Sequence, residues 1–76
     1  MMRYAVVIEK GETSYGAYVP DLPGCVAVGE TIEEVKVLIQ EAIEFHIEGM
    51  LEDELTIPQP RSVSYDAEVS VKAMNL

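Results

Sequence analysis

The residues able to do chemistry in this chain of 76 are mainly carboxylates: fourteen Asp and Glu stand against five Lys and Arg, with one histidine and one cysteine. Carboxylates converging on two divalent ions would make a phosphodiesterase. Glu9 and Asp21 are candidates near a sheet edge, and Glu33, Glu41, Glu44 and Glu48 recur through a helical stretch. Their i,i+3 and i,i+4 spacing is that of a solvated helix face, so no metal site is expected from them. His46 has neither a second histidine nor a neighbouring cysteine with which to hold zinc, and it reads as a core or interface residue. Cys25 is alone, which excludes an internal disulfide, and no Cys-His arrangement can be read around it. No catalytic residue and no cofactor is therefore expected. What remains is recognition, for which Tyr15 and Tyr18, Asp21 and Leu22 in a proline-rich turn, and the acids Glu41, Glu44 and Glu48 are the candidate contacts.

The elements that must position these residues follow from periodicity. Arg3 to Glu9 reads as a strand apolar on both faces, and Ser14 to Val19 as its antiparallel return after Lys10-Gly11-Glu12. Pro20-Asp21-Leu22-Pro23-Gly24 interrupts the pairing, and Cys25 to Val28 is a short third strand. Thr31 and Glu34 have the spacing of a capping box, so a helix of about four to five turns should begin at Ile32. Ile32, Val35, Leu38, Ile39, Ala42, Ile43, His46 and Met50 would form its apolar stripe. Ile57-Pro58-Gln59-Pro60 is a stiff connector. From Ser62, Val63, Tyr65, Ala67, Val69 and Val71 alternate with polar residues, the pattern of a fourth strand buried on one face. The order β-β-β-α-β predicts an α+β domain with a mixed four-stranded sheet and one helix packed on one face. The second face is then open to a partner or a second copy, and a homo-oligomer, dimer or tetramer, is expected.

A formal charge of −9 repels a phosphate backbone, so direct nucleic-acid binding is not expected, whereas a basic protein would be attracted. The longest aliphatic run, Ala5-Val6-Val7-Ile8, is too short for a membrane span or signal core, so the expected location is the cytoplasm.

The stretch Tyr18-Val19-Pro20-Asp21-Leu22-Pro23-Gly24-Cys25, then Gly29-Glu30-Thr31 opening a helix that contains Ala42-Ile43-Glu44-Phe45-His46-Ile47-Glu48-Gly49, resembles the amino-terminal domain of the HicB antitoxins. The resemblance covers nearly the whole chain. It implies a partial ribonuclease-H-like fold with strands in spatial order third, second, first, fourth. It also implies a domain that binds and neutralises a HicA-like toxin, a small protein that cleaves messenger RNA. Many such antitoxins carry a helix-turn-helix or ribbon-helix-helix segment; residues 1–76 contain nothing like either, and a single HicB-like domain without a DNA-binding domain is expected. A homo-oligomeric protein without a toxin, and a metal-dependent ribonuclease-like enzyme, are the alternative readings.

Overall fold

The computed structural model describes residues 2–71. The helix α1 spans Ile32–Glu52 and starts where the cap places it: the Glu34 amide donates to Thr31 Oγ1 at 3.0 Å. The reciprocal bond differs by one residue from the expected box. Glu34 Oε1 accepts from the Glu30 amide at 2.7 Å, not from that of Thr31. Such a cap contributes about 0.5–2 kcal/mol, and Glu33 and Glu34 in the first turn complement the helix dipole. At 21 residues the helix is nearly six turns long, longer than expected, because it runs through Gly49. It stops at Asp53, whose amide donates to the Gly49 carbonyl at 3.1 Å, and Glu54 takes a positive φ of 56°. That is a left-handed helix end.

Three strands precede the helix: β1 (Val7–Lys10), β2 (Tyr15–Tyr18) and β3 (Val26–Gly29). They form one antiparallel sheet in the order β1-β2-β3, with Ile8 opposite Ala17 and Ala17 opposite Ala27. The first strand is shorter at its start than the apolar pattern from Arg3 suggests. Val7 pairs with Tyr18, so Val6 would need Val19; but the Val19 amide is turned to the Cys25 carbonyl at 3.3 Å. Residues 3–6 thus lie beside the core without a ladder.

The core is Ala17, Val19, Leu22, Cys25, Val35 and Ile39, with Tyr4, Val6, Ile8 and Tyr15 among the residues packed around it. All of it lies between α1 and one sheet face. Gly29 allows the close seating of the helix: a Cβ there would stand 2.9 Å from the Val35 backbone nitrogen.

Residues 62–71, expected as a fourth strand, make no ladder with the other three. Val63 and Tyr65, expected on the buried face, are 94% and 86% exposed, and Val69 and Val71 are exposed as well. The segment leaves the domain as an arm. The molecule measures 54 × 27 × 19 Å with a radius of gyration of 15.6 Å, against about 11 Å for a compact chain of this length. The alternation that predicts a buried face is not matched by any cover from the described residues.

Candidate protein-binding surface

The Pro20-Asp21-Leu22-Pro23-Gly24 turn is locked from within. The Leu22 amide donates to the Val19 carbonyl and the Cys25 amide to the Leu22 carbonyl, each at 3.0 Å, and Gly24 adopts a φ of +85°. This geometry drives the Leu22 side chain into the core, where it is 0% exposed. Leu22 therefore offers no surface to a partner in this chain, and its place among the expected contacts is corrected to a core role.

Asp21 points the other way and is likewise engaged. Its Oδ2 accepts from the Arg61 and Ser62 amides, both at 2.8 Å, and its Oδ1 from the Ser62 hydroxyl at 3.0 Å. Beside it the Tyr4 hydroxyl donates to the Pro58 carbonyl at 2.6 Å. Together these bonds clasp the connector against the sheet end. The two Ser62 and Arg61 amide bonds, chiefly, hold the Asp21 carboxyl below its ordinary pKa, while burial, with the Asp21 charge adding to it, raises that of Tyr4. A carboxyl depressed in the folded state contributes stability that is present above its unfolded pKa of about 3.9 and is lost as pH falls through the folded value. Acidification below the ordinary carboxylate range should therefore release the connector, and Asp21→Asn should loosen it at neutral pH. Hydrogen exchange at the Arg61 and Ser62 amides measures both; protection unchanged in the variant would remove the clasp from Asp21.

The two tyrosines of β2 lie on opposite faces. Tyr15 packs on the core, and Tyr18 faces outward between Val7 and Val26 in one cross-strand row. On that open face Val26 and Val28 are 62% and 65% exposed. Val26 also borders a groove of about 440 Å³ between β3 and the second half of α1, lined by Cys25, Ala42, Phe45, His46, Met50 and Leu55 among others. An apolar surface thus wraps the β3 edge of the sheet. Phe45, which the stripe did not include, is 80% exposed at its rim. At 100° per residue Glu41, Glu48 and Glu52 fall within about 60° of Phe45, so carboxylates border the apolar surface on its solvent side. Glu44 stands about 40° beyond Glu48 on the same acidic face, where its Oε2 accepts from Gln40 Nε2 at 3.0 Å.

The remaining candidates are dispersed. Glu9 is exposed in β1, and among the described residues no group of three or more His, Cys, Asp or Glu side chains is placed to hold a metal ion. Cys25 is buried, which raises its pKa and keeps it a thiol. His46 is half-buried in the groove wall. No helix among the described residues is long and apolar enough to cross a membrane.

Residues 4–71 match the family model described as the HicB_like antitoxin of bacterial toxin-antitoxin systems. The chain belongs to this family. Among its relatives, the Antitoxin HicB 2 of Photorhabdus laumondii is 36% identical over 95% of this chain and 51% of its own length. A 14.9 kDa protein from the rep-hol intergenic region of Haemophilus phage HP1 is 45% identical over 82% of this chain and 47% of its own length. A UPF0150 protein of Helicobacter pylori is 49% identical over 64% of this chain and 68% of its own length. The chain thus spans about half the length of the phage and Photorhabdus relatives.

Proposed function

We propose that this chain is an antitoxin that binds a small, basic, HicA-like toxin and stops its cleavage of messenger RNA by covering it, without catalysis of its own. The observation that carries the reading is the apolar surface from Tyr18 and Val26 to Phe45 with carboxylates along its border, in a member of an antitoxin family. Apolar side chains supply the buried anchor of such an interface, and the acids draw in a cationic RNA-binding surface. The site is Tyr18 with Glu41 and Glu48, extended by Val26 and Phe45; Glu44 adds to the field from the same acidic face. Tyr15 supports it from the core side of β2, and Asp21 by fixing the connector at Arg61 and Ser62. Because the toxin's substrate is messenger RNA, the antitoxin acts in the cytoplasm. The ribonuclease-H-like architecture belongs to the same proposal, with a fourth strand completing the sheet.

The test is the binding rate to a purified HicA-like toxin. Changing Glu41, Glu44 and Glu48 together to Gln should slow association about tenfold at low salt and leave dissociation and fold nearly unchanged, since all three are exposed. The difference should shrink as salt rises and the Debye length falls to about 8 Å at 0.15 M. Absence of binding between the two folded proteins rejects the proposal; equal salt dependence of variant and wild type removes the acids from it.

A further inference from the structure

Beside β1 the domain has an unfilled place. Among the described residues the outer edge of β1 carries no neighbouring strand, and between α1 and the residues that lead into β1 lies a groove of about 630 Å³ whose walls include Met2, Tyr4, Ile43 and Ile47. The same molecule carries a segment, residues 62–71, that beyond Ser62 is exposed along its length and alternates apolar with polar side chains. The two features match in reach: the ten residues of the arm span about 33 Å at 3.3 Å per residue, enough to run along the four residues of β1 and the unladdered residues 3–6 that lead into it. They match in chemistry too, since an added strand would turn one row of its side chains under α1 and the other to the open side.

The arm does not fill its own subunit's groove. Its root at Arg61 and Ser62 is fixed by Asp21, and beyond that point the chain runs outward. We infer that residues 62–71 add as a strand to the β1 edge of a second copy of this chain, whose own arm returns the exchange. Reciprocity follows from two-fold symmetry: one contact made twice buries both arms and leaves neither β1 edge open. The acidic, apolar surface at the β3 edge stays free on the opposite side of each subunit. The inference does not depend on the toxin-binding proposal.

Light scattering of the full chain at micromolar concentration should give twice the 8.4 kDa chain mass. Ala67→Pro removes a backbone donor in mid-arm, and because Ala67 is exposed and away from the subunit's own core, helix content should persist while the dimer is lost. In a mixed sample of isotope-labelled and unlabelled protein, contacts should appear between labelled residues 2–10 and unlabelled arm residues. A single-chain mass, a dimer that survives Ala67→Pro, or a dimer whose arm contacts lie only within one chain would each overturn the exchange.

Discussion

Leu22→Ala should destabilise the domain by about 2–5 kcal/mol, the range for emptying a fully buried leucine site. Leu22 has no exposed surface and is fixed by a turn whose backbone is bonded on both sides of it, so little collapse can refill the space. Small domains have roughly 0.05–0.15 kcal/mol of stability per residue, or about 4–11 kcal/mol for a chain of this length. The substitution thus removes a large share of the total. Urea unfolding followed by helix ellipticity measures it. A loss under 1 kcal/mol would mean that the turn does not anchor the core.

Phe45→Ala should have the opposite profile. With 80% of its surface already in water, the phenylalanine contributes little to folding, and stability should change by no more than about 0.5 kcal/mol. Bound toxin, however, should leave at least about thirtyfold faster, because aromatic anchors at the centre of an interface are commonly worth 2 kcal/mol or more. Surface-immobilised toxin with the variant in flow gives the rate directly. An unchanged dissociation rate would move the contact away from the β3 side of the helix.

The contrast between these two residues marks how far the sequence could be read. The helix was legible because its signals are local: Thr31 and Glu34 are three residues apart, and the apolar stripe repeats at a fixed angle. Antiparallel pairing of the first three strands was legible for the same reason. The inward course of Leu22 was not, since a turn has no period by which to assign an inside. Nor was the Asp21 clasp, whose partner Ser62 is 41 residues away in sequence. Phe45 did leave a signal: it is an aromatic residue on the acidic side of an amphipathic helix, a position that packing within the chain does not explain. The residues from Ser62 onward show a different limit. Their alternation predicts a buried face, yet Val63, Tyr65, Val69 and Val71 stand exposed, because a period of two reports a pattern and not the presence of a neighbouring strand.

The sheet order β1-β2-β3 also bears on how quickly a subunit forms. Each strand pairs with the next one in the chain, and α1 folds back over the strand that immediately precedes it. Closing such short loops sacrifices little chain entropy, and domains of low contact order reach the native state in microseconds to milliseconds, on the order of a thousand times faster than all-β folds built from distant pairings. The interior sealed by Leu22 can therefore assemble as a unimolecular event. Any docking between molecules, whether with a toxin or another copy, then follows as a slower, concentration-dependent step between subunits already folded.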